Sequence, residues 1–356
     1  MSEQTLTSAA AARGPLAMEA ISLSKDFQIG RGHTLHAVRD VSFNLYRGAV
    51  VALVGESGSG KSTAARLLAG QEPLTSGTIR LDGRQVRVSS RTDFRRYKSE
   101  VQLVFQDPFS SLNPIHTVRY HLERPVKLHQ RSVNLGREVV SLMEQVRLTP
   151  AKQFLAKYPH ELSGGQRQRV SFARALAARP SVLLADEPVS MLDVSIRLEM
   201  LNLLDDLRQR FRLAMLYITH DIASARYFAD EILVMYAGEI VERGPAEEVT
   251  QVPAHPYTQL LVTSAPDPDN LGSALRGGSR RQGPATESGR PQNLDSSATR
   301  GCPFNPRCPF ADDQCRREDP ALVQISQTRG AACWHLDVAA PELVSGLRGG
   351  GDTKTK

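Results

Sequence analysis

The stretch Gly55-Glu56-Ser57-Gly58-Ser59-Gly60-Lys61-Ser62 constrains this 356-residue chain more than any other, because it fits G-x-x-x-x-G-K-[ST]. Glycines let a backbone curl until successive N–H groups point inward, which makes a cradle for phosphate oxygens. The flanks agree. Ala49–Val54 is a continuous, valine-rich apolar run, as expected of a strand buried on both faces of a parallel sheet, and Lys61–Ala69 has helical spacing. Strand, glycine loop and helix N-terminus in that order form an anion site. Lys61 is expected to reach the β- and γ-phosphates and Ser62 to bind Mg²⁺, with Thr63 in the same first helical turn.

Two further segments carry chemistry. Val182-Leu183-Leu184-Ala185-Asp186-Glu187 ends an apolar strand with two acids. In a phosphate-loop enzyme the first, Asp186, is placed to serve a Mg²⁺ ion, and Glu187 to orient and deprotonate an attacking water. Leu162-Ser163-Gly164-Gly165-Gln166 opens a helix, with Ser163 as its N-cap and two glycines exposing backbone N–H groups.

Around these, alternation predicts strands at Met18–Leu23 and Ala37–Leu45, and Asp82-Gly83 predicts a hairpin between Thr78–Leu81 and Gln85–Val88. Residues 92–175 read as mostly helical, interrupted by the proline-rich Asp107–Pro114. An amphipathic helix, Ile196–Phe211, separates the strands Val182–Ala185 and Ala214–Thr219. Glu231–Tyr236 and Glu239–Glu242 pair across Ala237-Gly238. The expectation is an α/β fold: a parallel sheet with helices, plus a small antiparallel layer.

Composition adds exclusions. Hydrophobic residues make up 40%, enough for a core, so disorder is excluded for most of the chain. No apolar run approaches the roughly 18 residues of a membrane span, and the first 20 residues have no basic-then-apolar secretory pattern, so an intracellular chain is expected. The net charge of +6 does not by itself separate a polyphosphate ligand from nucleic acid or an anionic membrane. Of the 38 residues from Ser264 to Gly301, 16 are Gly, Pro or Ser, which reads as a linker. All four cysteines, Cys302, Cys308, Cys315 and Cys333, lie beyond it.

On these motifs the chain resembles the nucleotide-binding subunit of ATP-binding-cassette transporters, over about residues 17–265. Leu162–Gln166 is that family's signature, and the other motifs follow in order. The resemblance implies a P-loop NTPase (RecA-like) core with an antiparallel β layer, a helical subdomain at about 107–175 and a Cys-containing C-terminal extension. It implies that Gly55–Thr63 binds ATP, that Ser62, Gln106 and Asp186 serve Mg²⁺, and that Phe27 stacks on adenine. Glu187 and His220 become the catalytic pair. Ser163, Gly164, Gly165 and Gln166 face the ATP of a second subunit, and Asp193 lies in a loop crossing the dimer interface. Met191 stands where the family usually has alanine.

His255-Pro256-Tyr257-Thr258, the Phe105–Pro114 stretch and the segment from Cys302 to Phe310 look like the bacterial di- and oligopeptide importer ATPases. That branch implies a second ATPase subunit (identical or homologous), two permease subunits and an extracytoplasmic solute-binding protein, with no nucleic acid. The implied place is the cytoplasmic face of the bacterial inner membrane. Relatives of this layout carry nickel, glutathione or sugars as well. A chromosome-associated ATPase would need a long coiled-coil insertion before Ser163, and a translation factor a second cassette; neither is present. The cysteines are expected to hold a structural [4Fe–4S] cluster remote from ATP, with Zn²⁺ as the alternative and His335 as a substitute ligand. The expected divisions are a flexible 1–16, the ATPase domain 17–265, a linker 266–301, the extension 302–345 and a flexible tail 346–356.

Overall fold

The computed structural model describes residues 14–30, 33–87, 90–107, 111–130, 134–264 and 301–340. The expected linker, the tail and most of the flexible N-terminus therefore lie outside the described residues, as does part of the Asp107–Pro114 stretch. Leu16 is a correction to the flexible start: it already opens the first strand, behind a bond from the Arg47 N–H to the Pro15 carbonyl.

The chain begins with two long antiparallel strands, β1 (Leu16–Ile29) and β2 (His33–Tyr46), followed by β3 (Val50–Val54) and α1 (Lys61–Leu68). The hairpin comes next, as β4 (Ser76–Leu81) and β5 (Arg84–Gln85), its return strand shorter than expected. Then follow α2 (Arg91–Glu100), β6 (Val101–Val104), α3 (Val118–His129), α4 (Leu135–Gln145), α5 (Ala151–Ala156) and α6 (Gly164–Leu176). The second half runs β7 (Val182–Asp186), α7 (Val194–Phe211), β8 (Ala214–Thr219), α8 (Ile222–Phe228), β9 (Glu231–Tyr236), β10 (Glu239–Pro245), α9 (Ala246–Gln251) and α10 (Pro256–Ser264). The extension contributes α11 (Asp313–Arg317), the two-residue strands β11 (Val323–Gln324) and β12 (Gly330–Ala331), and α12 (Leu336–Ala339).

Two sheets result. One is antiparallel in the order β2-β1-β4-β5; the other runs β11-β12-β10-β9-β3-β8-β7-β6, with β9, β3, β8, β7 and β6 parallel. Strand β6 corrects the reading of 92–175 as helical. It is four residues long and follows α2 without a break, so helical periodicity on both sides masks it. The extension, expected as an appendage, instead joins the sheet: β12 pairs with β10, Glu242 opposite Ala331.

Both faces of the large sheet are covered. Along β3, Val51 and Leu53 pack with Met18, Leu67, Leu68 and Leu216, while Val50, Ala52 and Val54 pack on the other side with Leu122, Phe172, Leu183 and Tyr217. The period-2 alternation of a strand thus sends apolar side chains into two cores, which explains why the sequence reads as unbroken apolar runs. Register then builds the site. Val54 lies opposite Thr219, and Asp186 opposite Ile218, so the loops leaving β3, β7 and β8 emerge side by side at one edge.

Candidate functional site

At that edge the loop from Gly55 to Gly60 turns back on itself. Gly60 has φ 104°, and a Cβ there would stand 2.2 Å from the Ala37 carbonyl oxygen, so no other residue fits. Gly60 is also the N-cap of α1, and no side chain caps that end. Lys61 is buried, and its Nζ donates to the Gly55 and Glu56 carbonyls at 2.7 Å each and to Ser59 Oγ at 3.4 Å. Burial pushes its ammonium pKa down, opposed by the carboxylates of Glu187, Asp186 and Glu56.

The Ser62 hydroxyl donates to Asp186 Oδ1 at 3.0 Å. Burial raises the Asp186 pKa, partly offset by that bond. A part-buried hydroxyl–carboxylate pair with hard oxygen donors is the chemistry that suits Mg²⁺. Glu187 has φ 44°, a left-handed backbone uncommon outside glycine and often found where a side chain is held for function. Its Oε2 accepts from Gln106 Nε2 at 2.9 Å and lies 3.3 Å from His220 Nδ1. Lys61, Ser62, Gln106, Glu187 and His220 line one cleft of about 940 Å³, with Phe27 and His36 on its wall, and Asp186 meets it through Ser62. Lys25 Nζ sits 4.7 Å from the centroid of the Phe27 ring. The volume lies in the range of ligand sites, and the open helix end with Lys61 suits a polyphosphate.

The signature segment is not among the residues lining this cleft. Ser163 and Gly164 are exposed, while Gly165 is buried against Ile196. A reciprocal capping box closes the start of α6: Ser163 Oγ accepts from the Gln166 N–H at 3.3 Å, and Gln166 Oε1 accepts from the Ser163 N–H at 3.1 Å. Asp193 is exposed at the start of α7 with no capping bond from its side chain, and Met191 beside it is 61% exposed.

Sequence reasoning missed what holds the loop from behind. Tyr257, in a stretch that reads as a stiff turn, is fully buried, and its hydroxyl accepts from the Glu56 N–H at 2.7 Å. His255 Nδ1 accepts from the Tyr257 N–H at 3.1 Å, and burial pushes the imidazole down to about 4. Arg307 of the extension donates from both terminal nitrogens to the Glu56 carboxylate, at 2.8 and 2.9 Å. The extension thus reaches the phosphate loop through Arg307. Only its position in space, not its spacing in sequence, could have revealed this.

None of the four cysteines is in a disulfide. Cys302 and Cys315 are buried beside Phe304, and the Cys302 N–H donates to the Cys315 carbonyl at 2.8 Å. Burial pushes Cys302 up to about 12 and Cys333 up to about 11, and neighbouring thiols add to both shifts. The His335 N–H donates to Cys333 Sγ at 3.4 Å. Thiolates are donors that both iron–sulfur clusters and zinc accept. Among the described residues, however, the group placed to share one ion is a mixed one, with ligand atoms of Asp312, Cys315 and His335 all within 4.8 Å of one another.

The ABC transporter family description matches residues 38–190, and that of the oligopeptide/dipeptide transporter C-terminal region matches residues 241–315. The chain is 40% identical over 332 residues to the di/tripeptide transport ATP-binding protein DppF of Pseudomonas aeruginosa, covering 90% of this chain and 98% of that one. It is 38% identical over 327 residues to the dipeptide transport ATP-binding protein DppF of Haemophilus influenzae, covering 90% and 97%. Among solved structures, the ATP-binding cassette MJ0796, a dimer in a post-hydrolysis state bound to ADP and Pi, aligns with a TM-score of 0.59 at 27% identity, covering 64% of this chain and 98% of that one. CbiO1 of Clostridium perfringens, part of the ABC transporter complex cbiONQ, also gives 0.59, at 26% identity over 67% and 91%. Phosphate loop, acidic strand end, capped signature helix and matching C-terminal region together place this chain in the ABC transporter ATPase family, in its oligopeptide/dipeptide branch.

Proposed function

We propose that this chain is the ATP-hydrolysing subunit of a bacterial importer of di- or oligopeptides. The observation that carries this reading is the convergence of Lys61, Ser62, Gln106, Glu187 and His220 on one cleft, with Asp186 bonded to Ser62, in a chain whose relatives are named for peptide transport. Among the described residues no helix is long and apolar enough to cross a membrane. In this reading the transmembrane path belongs to two separate permease subunits, fed by an extracytoplasmic binding protein, with this chain docked peripherally on the cytoplasmic face of the inner membrane. The ATPase unit is residues 17–265, its helical subdomain about 107–175.

In this reading the loop N–H groups and Lys61 bind the triphosphate and Phe27 stacks on the adenine. Ser62, Asp186 and Gln106 would hold Mg²⁺, which would supply charge neutralisation for the triphosphate. Glu187, fixed by Gln106 and His220, takes the proton of the attacking water. His220 stays in hydrogen-bond reach of Glu187 and reports the γ-phosphate. Ser163, Gly164, Gly165 and Gln166 of a second ATPase subunit, with Asp193 at the shared interface, complete the site from outside. ATP thereby closes a head-to-tail dimer, and hydrolysis releases it.

Cys302, Cys308, Cys315 and Cys333 hold a structural [4Fe–4S] cluster, which staples a segment with few large apolar side chains. Zinc on these thiols, or on the mixed Asp312–Cys315–His335 group, is the second reading, favoured by the closeness of those three ligand atoms. Nickel, glutathione or oligosaccharide would be the cargo if peptide is not.

The test is reconstitution with the permease and binding protein in vesicles, measuring ATP hydrolysis and uptake of a labelled dipeptide. Peptide-stimulated hydrolysis that Lys61→Ala abolishes is expected. Dipeptide uptake without hydrolysis, or hydrolysis indifferent to every cargo class, would overturn it.

A further inference from the structure

Glu56, the second residue of the phosphate loop, is tied at three points. Its N–H donates to Tyr257, its carbonyl accepts from Lys61, and its carboxylate takes both arms of Arg307. Arg307 ends the short turn Asn305–Arg307, immediately before Cys308. That turn is fixed from behind. Asn305 Nδ2 donates to the Cys302 carbonyl at 2.6 Å, and the fully buried Phe304 packs 5.5 Å from the Tyr257 ring and 5.3 Å from the Tyr236 ring. The Arg307 guanidinium lies 5.7 Å from the Phe304 ring.

A lone carboxylate on a loop that must hold a polyanion opposes its ligand. Half-exposed ion pairs contribute little in general, and the exception is the bidentate guanidinium–carboxylate fork seen here. We propose that Arg307 is a positioning residue of the nucleotide site: it neutralises Glu56 and fixes the phosphate loop, so that affinity for ATP depends on the four-cysteine extension being in place. This rests on reading Gly55–Ser62 as the phosphate loop.

The experiment is titration of the full-length chain with a fluorescent ATP analogue and Mg²⁺, alongside thermal melts. Arg307→Ala is expected to raise Kd about three- to tenfold, with the ATPase KM moving more than kcat. Glu56→Gln removes the charge that Arg307 balances. The double variant should bind more tightly than Arg307→Ala alone. The Arg307→Ala deficit should shrink at 1 M salt, where surface charges are screened. If Arg307→Ala does not fold, Arg307→Lys, which keeps the charge but loses the fork, should show a smaller rise in Kd. A folded Arg307→Ala that binds like wild type, a double variant as weak as that single, or an Arg307→Lys unchanged in Kd would overturn the proposal. Wild-type chain that does not bind the analogue would overturn the phosphate-loop reading itself, and the proposal with it.

Discussion

Two glycine-rich helix starts in this chain have opposite fates. Helix α1 begins at a glycine in a left-handed conformation with no capping side chain, at the floor of a cleft lined by Glu187, Gln106 and His220. Helix α6 begins on the surface, where Ser163 Oγ answers the Gln166 N–H and Gln166 Oε1 answers the Ser163 N–H within the same turn. An uncapped helix start is a standing demand for an anion. A capping box answers part of that demand and leaves the Gly164 and Gly165 N–H groups outside it. In the proposed reading, one chain carries a phosphate cradle and, elsewhere, a surface for the nucleotide of a second subunit.

The largest expected effect breaks the α1 side. Glu187→Gln keeps the hydrogen-bonding shape but loses the base, so hydrolysis should fall at least about 100-fold while ATP binding survives. Turnover near the wild-type rate would remove Glu187 from its role.

A smaller effect comes from the support behind α1. His255 is buried and neutral, with a folded pKa near 4 against an ordinary 6.5. A histidine depressed in this way contributes stability that is full above pH 6.5 and lost as pH falls from 6.5 towards 4, on the order of 3 kcal/mol. Its charged form also loses the acceptor that holds Tyr257, and through it Glu56. Denaturant melts should show His255→Asn, which cannot take up a proton, with a flatter acid limb than wild type. Parallel limbs would contradict this.

The smallest effect sharpens the α6 side. Ser163→Ala removes a cap and should cost about 1 kcal/mol of stability. ATP affinity of the isolated chain should not move, because Ser163 does not line the chain's own cleft. A weaker affinity in that variant would mean that α6 reaches its own nucleotide.

How much of this is legible in sequence follows from distance along the chain. The phosphate loop, the Asp186-Glu187 strand end and the Ser163 cap are local patterns, and strand, loop and helix fall within a few residues of where spacing predicts them. Strand β6 was hidden because four residues between helices are too few for a period to show. The Arg307–Glu56 fork joins residues 251 positions apart, and the buried Arg329–Glu242 pair, 2.8 Å, joins residues 87 apart. Nothing in the spacing of either residue announces its partner. The pairing of the extension with the main sheet was hidden because its strands are only two residues long, too short for a period to show. Its order is borrowed from β10 and from the aromatic packing around Tyr257.

The central claim is that ATP joins two half-sites on two subunits. Sedimentation of the Glu187→Gln chain with its ATPase partner (a second copy, or the homologous chain where a transporter uses two kinds) tests it most directly. Without nucleotide the chains should sediment singly, at 39.1 kDa for this one. With Mg-ATP they should sediment as a dimer, and Ser163→Arg in both chains should prevent it. Chains that bind ATP yet remain single, or a dimer that forms equally well with Ser163→Arg, would contradict the account.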